Sequence, residues 1–83
     1  MNYTKLQLTN FNLTKRVTTK GEDYFVLVDQ DTNTAYFCFA NKLKDWDYLV
    51  ANWAELSTIE IEFIAKEKGN RVISLKDNSL TIF

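Results

Sequence analysis

Residues 24–40 read Tyr-Phe-Val-Leu-Val-Asp-Gln-Asp-Thr-Asn-Thr-Ala-Tyr-Phe-Cys-Phe-Ala, and this stretch decides the fold. Tyr24–Asp29 and Thr34–Ala40 are rich in aromatic and β-branched residues, which predicts two strands. Gln30, Asp31, Thr32 and Asn33 between them form a polar loop of hairpin length. With a four-residue loop, Phe25 and Leu27 share one face with Tyr36 and Cys38. Val26 and Val28 then share the other face with Phe37 and Phe39. Both faces are apolar, and only one can line a core. The expectation is that Val26, Val28, Phe37 and Phe39 turn inward, leaving Phe25 and Tyr36 on the outside; an odd loop length would change the pairing.

Working outward, Leu43, Trp46, Leu49, Val50 and Trp53 form one apolar stripe of helical period, predicting a helix from about Lys42 to Glu55 with Asn41 as its N-cap. Trp46 and Trp53 on that stripe read as core residues. Upstream, Leu6 and Leu8 alternate with polar residues, and the pattern resumes one residue out of phase at Phe11 and Leu13. Such a slip predicts a long first strand bent by a bulge near Thr9–Asn10. Downstream, Ile59, Ile61 and Phe63 alternate with Glu60 and Glu62 in a fourth strand. A basic turn at Lys66–Asn70 leads to a fifth at Val72–Leu75. The Leu80–Phe83 segment reads as a short sixth strand across an Asp77-Asn78 turn, or else as an apolar recruiting tail. No Pro-, Gly- or Ser-rich linker divides residues 1–83, so one domain is expected. The fold class is mainly β with one helix, in the order β-β-β-α-β-β with an optional final strand.

A bent first strand, a hairpin, one helix between strands three and four and a closing hairpin describe a small five- to six-stranded OB-fold-like barrel. Within that layout, Thr34-Ala-Tyr-Phe-Cys-Phe-Ala-Asn-Lys-Leu43 resembles the third strand and helix entry of small bacterial and phage single-stranded-DNA-binding proteins. Ser57-Thr-Ile-Glu-Ile-Glu62 is similar to their fourth strand. The resemblance implies an OB-fold and a non-catalytic module that binds single-stranded nucleic acid with little sequence preference. SH3-like small barrels share much of the strand order, usually without so long a helix after strand three.

The charge pattern gives that expectation a location. The formal net charge of the 83 residues is only −1, yet the cations sit toward the ends. Lys5, Lys15, Arg16 and Lys20 precede any acid. The middle of the chain is acidic, and Lys66, Lys68, Arg71 and Lys76 outnumber Glu67 and Asp77 at the end. In an OB barrel the loops joining strands 1–2 and 4–5 frame a cleft over strands 2 and 3. Lys15, Arg16 and Lys20 fall on one arm and Lys66, Lys68 and Arg71 on the other, where cations track phosphates. Phe25 and Tyr36 would stack bases between them. The alternative partner is a protein docked on the strand 2–3 face. Small size, near-neutral charge and an Asn/Lys/Ile-rich composition look like a phage or mobile-element accessory protein, for example an inhibitor of a host nuclease or defence complex. The same apolar face would equally suit a homodimer.

Catalytic classes find little to work with. The chain contains no His and a single Cys, which removes most dyads and any Cys/His zinc cage. Asp29, Asp31 and Asn33 have the opening spacing of a calcium loop, but Thr34 replaces its turn Gly and Ala40 its bidentate Glu. Glu60 and Glu62 read as the wet side of a strand. The expectation is therefore no enzyme, no cofactor and no metal. Cys38, without a partner in the chain, suits a reducing compartment. Polar Asn2, Thr4 and Gln7 occupy the place of a signal peptide's apolar stretch. The apolar runs Tyr24–Val28 and Ala35–Ala40 are too short to span a bilayer, so a cytoplasmic protein with no membrane partner is expected.

Overall fold

The computed structural model describes residues 3–78. In chain order the elements are β1 (Thr4–Leu8), β2 (Phe11–Val17), β3 (Asp23–Asp29), β4 (Thr34–Phe39), α1 (Trp46–Asn52) with a 3-10 turn at Trp53–Glu55, β5 (Ile59–Lys66) and β6 (Gly69–Asp77). Among the described residues these strands form one six-stranded sheet in the order β1-β5-β6-β4-β3-β2. Neighbours run antiparallel except β4 and β6, which make a short parallel pair at Tyr36–Asn70 and Phe37–Arg71. The protein is thus a small, mainly β fold with one short helix. Its sheet is not a closed barrel, because β1 and β2 occupy its two ends. The segment Leu80–Phe83, expected as a strand or a tail, lies outside the described residues.

The bent first strand becomes two strands, with Thr9 and Asn10 between them. β1 pairs with β5 and β2 pairs with β3, so the two halves serve opposite ends of the sheet. The phase slip in the sequence has a packing cause: Leu8 is buried, and Leu6, Phe11 and Leu13 all pack against the same core. The bend is held to the β3–β4 loop, where the Gln30 N–H donates to the Asn10 carbonyl at 3.0 Å. Asn10 Nδ2 also donates to Asp31 Oδ1 at 3.0 Å.

The β3–β4 loop has the expected four residues, and the expected pairs form: Phe25 opposite Cys38 and Leu27 opposite Tyr36. The inward face is the opposite of the one expected. Phe25, Leu27, Tyr36 and Cys38 lie in the core with Leu49, Ile59, Ile61 and Val72. Phe25 is fully buried and Tyr36 is 5% exposed. The helix decides this. Trp46 and Trp53 each place their ring centroid 5.5 Å from that of Phe25, so the aromatic cover over the sheet is built on Phe25 rather than on Phe37 or Phe39. Val72 and Leu75, an odd spacing apart, both reach the core because a bulge slips the β5–β6 register after Glu62, leaving Ile73 as the extra residue.

The helix is shorter than its stripe predicts. Residues 40–45 form turns, with the Lys42 and Leu43 N–H groups donating to the Phe39 carbonyl at 3.1 and 3.0 Å. Asp45, not Asn41, stands at the N-cap position and makes no capping bond to the helix. Its Oδ2 accepts the Leu75 N–H at 2.9 Å, tethering α1 to β6. Leu43 and Leu49 are buried, whereas Trp46 and Trp53 are half-buried and Val50 is 44% exposed. Across the seven residues of α1 and the 3-10 turn that follows, the inward stripe narrows to Trp46, Leu49 and Trp53. Replacing Asp45 with Ala orphans a partly buried N–H and should cost about 1–3 kcal/mol in a urea melt. A melt identical to wild type would show that the tether contributes nothing.

Cys38 is buried, and burial pushes its thiol up to about 12. The folded protein therefore favours the neutral thiol. That preference adds stability below the ordinary thiol range and is lost as pH rises toward 12. At pH 8 a thiol-alkylating reagent should leave Cys38 untouched until denaturant is added. Labelling of the native protein at the rate of a free thiol would contradict its placement.

Candidate nucleic-acid interface

Turning Phe25 inward turns its neighbours outward, since successive strand residues take opposite faces. Tyr24 and Phe39 pair across β3 and β4, and Phe37 lies two residues before Phe39 on the same face. Their rings form a row. The Tyr24 and Phe39 centroids are 5.6 Å apart with planes inclined at 25°, and those of Phe39 and Phe37 are 6.4 Å apart at 17°. All three are half-buried, leaving part of each ring accessible.

This row floors an open groove of about 430 Å³, lined by Thr18, Tyr24, Phe37, Phe39, Lys66, Lys68, Gly69, Asn70 and Arg71. Three lining residues are cations and none is an acid. The cations come from the β5–β6 hairpin, where Lys66 pairs with Gly69 across Glu67 and Lys68. Arg71 reaches the groove because it pairs with Phe37 in the parallel contact, on the same face. On the opposite wall Thr18 begins the β2–β3 turn. Its Oγ1 accepts the Glu22 N–H at 3.1 Å and the Lys20 N–H at 3.3 Å, and Gly21 supplies a positive φ of 86°.

The expected site residues divide accordingly. Lys66, Lys68 and Arg71 line the groove together, and exposed Lys20 sits two residues beyond Thr18. Arg16 pairs with Tyr24 and so extends the groove's face onto β2, the end strand among the described residues. Lys15 does not join them. It pairs with Phe25 on the other face, and its Nζ lies 3.6 Å from Asp23 Oδ2. Phe25 and Tyr36 cannot stack a ligand, being in the core. Tyr36 instead packs edge-on against Phe63 at 4.8 Å, and burial, reinforced by the Asp29 charge, raises its phenol pKa. The rings that line the groove are instead Tyr24, Phe37 and Phe39, two of which, Phe37 and Phe39, were expected inside.

Elsewhere, the Tyr48 hydroxyl donates to Asp77 Oδ2 at 2.6 Å, and that bond is the main cause of its raised pKa. Among the described residues no group of three or more His, Cys, Asp or Glu is placed to hold a metal ion. No described helix is long and apolar enough to cross a membrane. Comparison with protein-family models, curated proteins and solved structures gives no match to this chain. The functional reading accordingly rests on the groove.

Proposed function

We propose that the protein is a non-catalytic module that binds single-stranded nucleic acid with little sequence preference, on a partly open OB-like sheet. The OB reading is supported by a broken first strand whose halves reach both ends of the sheet and by a helix entering after β4. The observation that carries the binding reading is the row Tyr24–Phe39–Phe37 set beside Lys66, Lys68 and Arg71 with no acid in the lining. Aromatic faces accept any base, and cations accept the phosphates that accompany it. A basic protein partner would find neither a counter-charge nor an acceptor-rich wall in this groove.

The test is fluorescence anisotropy with a labelled single-stranded oligothymidylate at low salt. Saturable binding is expected, with a duplex of equal length binding more weakly because its base faces are already stacked. Flat titrations with both DNA and RNA single strands would reject the proposal. A second reading, a protein-binding module, draws on a different surface: Tyr48 and Val50 are exposed on α1 beside Asp47. On that reading Tyr48→Ala, and not a groove substitution, would abolish partner binding.

A further inference from the structure

The geometry points to Gly69 as a positioning residue that seats Phe37 in the aromatic row and thereby sets the affinity of the groove; this role rests on the single-strand reading. Gly69 opens β6 directly after the cationic turn and has φ +129°, a conformation that residues with a side chain rarely adopt. The second requirement is spatial. A Cβ placed at position 69 would lie 2.7 Å from Phe37 Cε2 and 3.1 Å from its Cδ2. The ring thus occupies the volume that any other residue would claim. Arg71, two residues on, pairs with Phe37 in the short β4–β6 contact, so backbone and ring are fixed to the same turn.

The consequence is coupling between the two halves of the groove. Phe37 stacks on Phe39, and Phe39 on Tyr24. The turn that carries Lys66 and Lys68 is also the wall against which the row ends. Bases and phosphates of one strand are then met at a fixed offset, which limits the ordering cost of binding. A methyl at position 69 meets the edge of the Phe37 ring, with Cε2 and Cδ2 nearer than the tip carbon Cζ at 3.8 Å. The ring can rotate away, so the expected casualty is the alignment of the row and not the charge of the groove.

A double-mutant cycle isolates this effect. Gly69→Ala should weaken oligothymidylate binding about tenfold, within the range of losing one stacked base, while leaving the salt dependence as in wild type. In a Phe37→Ala background, where no ring remains to displace, the same change should cost less than about twofold. Because the substitution also strains the backbone, each variant is first checked by thermal melting. If Gly69→Ala alone does not fold, thermal melting of Gly69→Ala/Phe37→Ala, in which the Cβ has no ring to meet, should show recovery. A double variant as unstable as the single one would overturn the assigned contact. Where the variants fold, the aromatic NMR shifts of the ligand-free protein report ring displacement directly. Folded Gly69 variants with wild-type affinity and unmoved Phe37 resonances would overturn the role of Gly69 while leaving the groove intact. So would equal losses in both backgrounds. Absence of oligonucleotide binding by the wild-type protein would instead overturn the single-strand reading, and this role with it.

Discussion

Replacing Phe25 with Ala is expected to cost about 3–5 kcal/mol of stability. An 83-residue domain of ordinary stability has roughly 4–12 kcal/mol in total, so the variant should lose about a quarter or more of it, and all of it at the lower end of that range. The size of the effect follows from position. The Phe25 ring is fully buried and is the common contact of Trp46 and Trp53, so its loss opens a cavity and unseats the helix together. Urea denaturation followed by tryptophan fluorescence reads both events, as a lower midpoint and a red-shifted native spectrum. A melt within about 1 kcal/mol of wild type would mean that Phe25 faces solvent, and the assignment of the two sheet faces would have to be reversed.

The same residue marks the boundary of what the sequence made legible. Loop length, pairing and the composition of each hairpin face followed from the polar run 30–33 and from strand alternation. Which face lies inside did not follow, because Phe25/Leu27/Tyr36/Cys38 and Val26/Val28/Phe37/Phe39 are equally apolar. The tie is broken by tertiary packing under Trp46 and Trp53, which local pattern does not encode. Asp29 deepened the ambiguity. A carboxylate on the Phe25 face suggests an outward face, yet it is nearly buried and accepts the Asp31 N–H at 3.0 Å. The helix is shorter than its apolar stripe for a related reason. Leu43 is buried as its place in the stripe implies, but from a turn preceding α1, since Asp45 bonds β6 rather than the helix N-terminus. The candidate cations were legible as two clusters because turns concentrate them. Their sorting was not, since period-2 alternation sends Lys15 away from Arg16 only once the strand boundaries are known.

Phe39→Ala should have the largest effect on binding. Phe39 is the middle ring, stacked against both Tyr24 and Phe37, and its loss breaks the row in two. Base stacking on an aromatic side chain is worth about 1–3 kcal/mol, so affinity should fall by about fivefold to more than a hundredfold. The loss should be similar at every salt concentration, because stacking releases no counterions. The stability penalty should be smaller than that of Phe25→Ala, since Phe39 is only half-buried on the outward face. A Phe39→Ala protein that binds an oligonucleotide as wild type does would move the base-binding surface elsewhere. Equal losses for duplex and single strand would point to a backbone-only interaction.

On the proposed function, one face of the sheet offers rings to bases and the β5–β6 turn offers cations to phosphates. The most direct measurement is the salt dependence of oligothymidylate affinity for the wild-type protein and for Lys66→Ala/Lys68→Ala/Arg71→Ala. With about three phosphates met by the three groove cations, log K should fall against log salt with a slope of roughly −2, at about −0.7 per phosphate. The triple variant should stay folded, since Lys66 and Lys68 are exposed and Arg71 is only half-buried, and should bind weakly with a slope much closer to zero, set by what Arg16 and Lys20 still contribute. A wild-type slope near zero, or a slope that the triple variant leaves unchanged, would rule out phosphate binding by this groove.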